Sequence, residues 1–104
     1  MSTYRRLAAP VRATFMAAAD FMRAYENDAA LLPGAFCLGD DWLRYCCPCG
    51  CGGVGKIRIG LRGKSMLRPY WEWNGLTDAI TLWPSVHHVE HWHGWLTDGY
   101  WRQA

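Results

Sequence analysis

No apolar run in this chain approaches the ~18 residues that a helix needs to cross a bilayer, and there is no internal repeat, linker or low-complexity tract. That excludes a helical membrane span and a repeat architecture. Charge is scarce too, with 19% charged residues and a formal net charge of +2, far from the strongly basic balance of a dedicated nucleic-acid binder. Well-separated cysteine pairs are missing: four of the five cysteines lie between Cys46 and Cys51, and only Cys37 stands elsewhere. Neighbouring thiols do not usually bridge one another, so a disulfide framework is a poor reading. H-E-x-x-H and H-x-E with P-C-x-x-C, two signatures of zinc hydrolysis, are also absent.

What remains is a chain of 104 residues with 51% hydrophobic content and seven tryptophans. Residues 1–104 read as one small domain, whose thin core calls for a staple. Arg12 interrupts any signal-peptide apolar core, so the expected location is the cytoplasm of a bacterial host cell.

The first third is helical in period. Val11, Phe15, Ala18, Met22, Tyr25 and Ala29 recur at alternating spacings of four and three, opposite Arg12, Asp20, Arg23 and Asn27. Pro10 suits a first helical position and Pro33-Gly34 stops the run, so an amphipathic helix is expected over about 10–30. After it the signals are β. Short strands are expected at Phe36 to Leu38, Trp42 to Cys46, Lys56 to Leu61, Pro69 to Trp73 and Ile80 to Val86, with Pro84 marking an edge or bulge. Trp92 to Leu96 and Tyr100 to Arg102 form a hairpin around Thr97-Asp98-Gly99. The fold class is α+β: one helix packed on a small antiparallel sheet over about 35–103, with a zinc-ribbon-like metal site.

The stretch Cys46-Cys47-Pro48-Cys49-Gly50-Cys51-Gly52-Gly53 combines thiolates with glycines that let a tight turn close. Cys46 and Cys49 form a C-x-x-C knuckle, whereas Cys47, Cys49 and Cys51 form an alternating string. His91 and His93 are the obvious donors for the other half of the site, because residues two apart in a strand share a face. Zinc in such a site is structural and compensates for the thin core.

Four motifs carry a resemblance. They are Cys47-Pro48-Cys49-Gly50-Cys51-Gly52, Trp71-Glu72-Trp73-Asn74-Gly75, Thr81-Leu82-Trp83-Pro84-Ser85-Val86 and His93-Gly94-Trp95-Leu96-Thr97-Asp98-Gly99. In order and spacing they resemble an uncharacterised family of small Cys/His proteins of phages and prophages, found also beside bacterial ubiquitin-like conjugation genes. The resemblance runs from about Cys46 to Trp101. It implies a metal site of Cys47, Cys49 and Cys51 with His93, and His91 or Cys46 as the alternative ligand. Relatives commonly carry a cysteine shortly before the final histidine, where this chain has Val89-Glu90-His91-Trp92. The resemblance implies no reaction.

Lys56, Arg58, Arg62, Lys64 and Arg68 form an acid-free basic stretch and a candidate binding surface. Most of the tryptophans are expected in the core, with one or two left as interface anchors. The expected function is therefore non-enzymatic: a zinc-stabilised protein-binding module, plausibly a phage-encoded modulator of a host process such as an anti-CRISPR-type inhibitor. Its partner is a host protein or complex, and no membrane. A nucleic-acid-binding zinc protein using the Lys56 to Arg68 face is the less favoured alternative. A zinc hydrolase with Glu90 or Glu72 as general base is less favoured still.

Overall fold

A computed structural model describes residues 9–27, 31–61 and 70–104. Its elements in chain order are β1 (Val11–Arg12), α1 (Ala18–Glu26), β2 (Phe36–Leu38), β3 (Trp42–Cys46), β4 (Val54–Leu61), β5 (Trp71–Trp73), β6 (Leu82–Trp83), β7 (Val86–His88), β8 (Trp92–Thr97) and β9 (Tyr100–Gln103). They build an α+β fold with two sheets rather than the one expected. The four-stranded sheet has the order β1-β9-β8-β7, all antiparallel, and the five-stranded sheet the order β2-β3-β4-β5-β6. β4 and β5 pair in parallel and the other neighbours of that sheet antiparallel. Among the described residues no helix is long and apolar enough to cross a membrane.

The two sheets face each other over one core. Phe36, Leu43, Tyr45 and Ile59 come from the five-stranded sheet, and Val86, Trp92, Leu96 and Trp101 from the other, all essentially buried. Trp92 and Trp101 meet edge to face at 5.6 Å, a favourable quadrupole geometry. Close approach demands glycine at Gly55, opposite Tyr45 in the β3–β4 ladder, where a Cβ would run into the tyrosine ring. The alternate side chains of β2 and β3 point away from this core. Cys37 and Cys46 there bury against Phe21 of α1 and Ala35, with Val54 packed alongside. The layers are thus sheet, sheet, helix, the helix covering one end of the outer face.

The helix differs from its expected extent. α1 holds only Ala18–Glu26, while residues 28–30 lie outside the described residues. Upstream the chain is extended: Val11 pairs with Trp101, Ala13 N–H donates to Gly99 O at 2.8 Å, and Phe36 N–H donates to Thr14 O at 2.9 Å. The edge of β9 and the start of β2 satisfy backbone groups there that a helix would have satisfied internally. Of the expected apolar face only Met22 of α1 packs, partly buried, on the core beneath the helix. Phe15 and Tyr25 are 48% and 52% exposed, and Phe21 is the helix residue that is fully buried. Ile80 to Val86 is likewise two strands. β6 belongs to one sheet and β7 to the other, with Pro84 and Ser85 between them.

Phe21→Ala should therefore lower unfolding stability by about 3 kcal/mol or more, whereas Tyr25→Ala should stay within about 0.5 kcal/mol. Urea denaturation followed by tryptophan fluorescence measures both.

Candidate functional site

Chemistry-bearing side chains gather at two neighbouring places around β7. The first lies where the turn after β3 meets the hairpin between β7 and β8. Gly50 and Gly52 take positive φ of 87° and 83°, which coils residues 47–53 tightly enough for Cys47 Sγ to approach Cys49 Sγ at 3.3 Å. Cys47 N–H donates to Gly53 O at 2.9 Å and closes the turn. Across from it, His91 N–H donates to His88 O at 2.9 Å, and Glu90 adopts φ 66°. This hairpin turn presents His88 and His91 together, their rings 5.4 Å apart. Two overlapping groups have ligand atoms within 4.8 Å of one another: Cys47, Cys51 and His88, and Cys49, Cys51 and His91. The cluster could hold a metal ion, and soft thiolates with imidazoles are the donor set that zinc takes.

Local electrostatics fit that use. Burial raises the Cys47 thiol well above its ordinary value, and the Cys49 thiol and the neighbouring charges of Cys49 and Cys51 add to this. Such a thiol stays protonated unless a cation draws off its proton. Burial opposes ionisation of Cys51 as well, but the Gly53 N–H and the Cys49 and Cys47 thiols together hold it below the ordinary cysteine range. His88 is pushed down by burial and then by His91 and His87, which keeps its imidazole neutral, the form that binds metals. Tyr45 Oη lies 3.3 Å from His88 Nδ1. Its phenol is pushed up to about 12 by burial, with Cys47 and Cys51 adding to the effect.

Two residues placed by sequence at this site lie elsewhere. Cys46 turns to the helix side, buried with Phe21, its Sγ 3.9 Å from Leu31 O. The shared-face argument for His91 and His93 fails because β8 begins at Trp92, which leaves His91 in the turn and His93 on the strand. His88 stands in the cluster, a position that sequence reasoning missed. Its spacing of three from His91, a hairpin-turn span, was the available signal.

His93 takes part in the second gathering. Val86, Trp92 and Leu96 point into the core, so strand alternation turns Ser85, His87, His93 and Trp95 to the opposite face of that sheet. There Ser85 Oγ and His93 Nε2 lie 3.1 Å apart. Trp71 Nε1 donates to Ser85 O at 3.0 Å, which holds the serine peptide from the five-stranded sheet. The ring of His93 has His87 at 5.1 Å and Trp95 at 6.3 Å between centroids. Of the three serines in the chain, Ser2 and Ser65 lie outside the described residues. Hydroxyl and imidazole within hydrogen-bond reach are the nucleophile and base of covalent catalysis. Sequence reasoning took Ser85 for a strand residue, although its T-L-x-P-S-V string and the following histidine were both in view.

Of the candidate basic surface, Lys56 and Arg58 stand on the outer face of the five-stranded sheet. Lys56 Nζ is 4.2 Å and Arg58 Cζ 5.1 Å from the Trp42 ring centroid. Arg58 Nε lies 3.9 Å from Asp41 Oδ2. Arg62, Lys64 and Arg68 fall outside the described residues.

Neither the curated proteins nor the solved structures contain a match to this chain. One family model, described as bacterial ubiquitination-like system serine protease, matches residues 22–104. An enzyme family overturns the expectation of a non-enzymatic binding module, and with it the phage anti-defence inhibitor; the zinc hydrolase comes closer but is not a serine protease. The link to bacterial ubiquitin-like conjugation remains. With most of its length matched, both the cysteine turn and the Ser85–His93 pair included, the chain belongs to the BubE family of bacterial ubiquitination-like system serine proteases.

Proposed function

We propose that this chain is a serine peptidase acting on the ubiquitin-like polypeptide of a bacterial ubiquitination-like system, with Ser85 as nucleophile and His93 as general base. The observation that carries the reading is the 3.1 Å approach of Ser85 Oγ to His93 Nε2. It is supported by the family description and by Ser85 being the one serine among the described residues.

In this reading Nδ1 of His93 carries the proton, so that Nε2 accepts the Ser85 hydroxyl. Ser85 Oγ attacks the scissile carbonyl carbon; the C–O bond forms as the hydroxyl proton passes to His93 Nε2. Collapse of the tetrahedral species breaks the C–N bond, and His93 hands its proton to the departing amine. Water then attacks the Ser85 ester and gives a proton to His93, and the second collapse frees the carboxylate and restores the hydroxyl. Trp71 fixes the Ser85 carbonyl, and hence the placement of Oγ. Among the described residues no carboxylate is bonded to the His93 ring, and the reading assigns roles to the Ser85–His93 dyad alone.

Structural zinc is the second part of the proposal. Cys47, Cys51 and His88 hold it, with Cys49 or His91 completing four ligands. Bound there, zinc supplies a cross-link on the order of 10 kcal/mol of apparent folding energy, tying the β3–β4 turn to the β7–β8 hairpin. Val86 and His87 of β7 separate that cross-link from Ser85.

A fluorophosphonate probe should label the native chain at Ser85 alone, read by intact mass and peptide mapping. Ser85→Ala should abolish labelling and His93→Ala slow it by about 10²–10⁴-fold; labelling that survives Ser85→Ala moves the nucleophile elsewhere. The purified protein should carry stoichiometric zinc by plasma mass spectrometry, and Cys51→Ser with His88→Ala should lose it along with thermal stability. Unchanged melting after metal removal would refute the staple.

The metal-free chain has its own pH window. His88 is lowered, so its contribution is present above the unfolded value near 6.5 and is lost as pH falls. Cys47 and Tyr45 are raised, so their contributions are present below the unfolded values, about 8.5 for cysteine and about 10 for tyrosine, and are lost as pH rises, with the lowered Cys51 opposing that loss. Urea midpoints of the chelated protein should peak between about pH 7 and 8.5.

A further inference from the structure

The outer face of the four-stranded sheet does not end at the dyad. Beside His93 on β8 stands Trp95, 47% exposed, its ring tilted only 31° from that of His93. Trp95 is paired across the ladder with Arg102 of β9. One register step away, Arg12 of β1 is paired with Tyr100, which is 38% exposed. Arg12 Cζ lies 5.2 Å and Arg102 Cζ 5.7 Å from the centroid of that tyrosine ring. One Arg12 N–H reaches the carbonyl of Asp78 at 3.0 Å. Among the described residues neither guanidinium meets a carboxylate. Two cations are thus held in place by an aromatic ring and a main-chain oxygen, without a carboxylate partner among the described residues, on the face that presents Ser85.

We infer that this face is the substrate-docking surface of the peptidase and takes an extended acidic segment of the polypeptide beside the bond to be cut. The inference rests on the reading of Ser85 as nucleophile. Charge complementarity selects the occupant. An aromatic shelf with arginines laid over it favours carboxylate side chains, which the planar guanidinium fork binds in two-point contact. Continuity with the dyad makes the occupant part of the substrate rather than a separate partner. Distance then sets the register. Arg102 and Arg12 lie two and three strands from β7, about 10 and 14 Å at ~4.8 Å per strand. An extended peptide rises ~3.3 Å per residue, so the favoured acidic side chains lie about three and four residues from the scissile bond.

Binding can be read without turnover. The inactive Ser85→Ala protein is titrated against fluorescein-labelled hexaglutamate and hexalysine peptides, with fluorescence anisotropy as the readout. The glutamate peptide should bind the more tightly. Arg12→Glu with Arg102→Glu should weaken it at least tenfold, and Trp95→Ala should weaken it as well. Lys56→Glu with Arg58→Glu, on the other sheet, should leave it unchanged. Equal binding of the two peptides, or indifference to the Arg12 and Arg102 changes, overturns the inference. So does tighter retention of a labelled oligothymidine at physiological salt. Fluorophosphonate labelling of chains with native Ser85 reports on the dyad separately. Labelling without peptide preference rejects the docking face alone, and peptide preference without labelling rejects the nucleophile alone. With both in hand, cleavage products from a proteome-derived peptide library, read by mass spectrometry, should show acidic residues enriched three to four positions from the cut.

Discussion

The chain crosses from one sheet to the other in two residues. β6 closes the five-stranded sheet at Trp83, and β7 opens the four-stranded sheet at Val86. Pro84 and Ser85 have to make that passage, and the indole of Trp71 fastens the Ser85 carbonyl while they do so. Both gatherings of reactive side chains are placed from this crossing. Ser85 stands at the seam, His93 answers it from β8, and three residues after Ser85 the end of β7 delivers His88 to the cysteine turn. The two gatherings are therefore the two ends of β7. The core beneath them, from Tyr45 to Trp101, is what keeps the sheets at a spacing where both ends find their partners.

Much of the β architecture was legible in the sequence because local rules decide it. Phe36 to Leu38 and Trp42 to Cys46 are strands where alternation and the Gly39-Asp40-Asp41 turn signal put them. The last hairpin turns at Asp98 and Gly99, whose φ values of 54° and 83° suit the residue types that tolerate a left-handed backbone. The parts that misled depend on contacts distant in sequence. The period of Val11 and Phe15 matches a helix, yet the exposed edge of β9 competes for the same backbone and wins between residues 11 and 13. Pro84 was read as an edge or a bulge of one strand, since nothing local says that the chain changes sheets there.

The site shows the same division. Its cysteine turn was plain, because four thiols among glycines have few other uses. The histidines could not be sorted by spacing, since the left-handed residue Glu90 cuts the strand short and puts His91 and His93 on different business. Ser85 was hidden for a further reason. A serine nucleophile carries no local signature on a strand, and its meaning comes from an imidazole eight residues away on the neighbouring strand.

The placement of the dyad on the outer face of a sheet has a consequence for what can reach it. A nucleophile in a deep cleft selects by the shape of the side chain admitted. One set on a twisted, open β surface selects by the behaviour of the backbone offered to it. A compact loop held in a fold cannot flatten across four neighbouring strands, whereas a loose chain end can lie over them. A nucleophile placed in this way meets the main chain of whatever lies across the sheet before it meets any side chain.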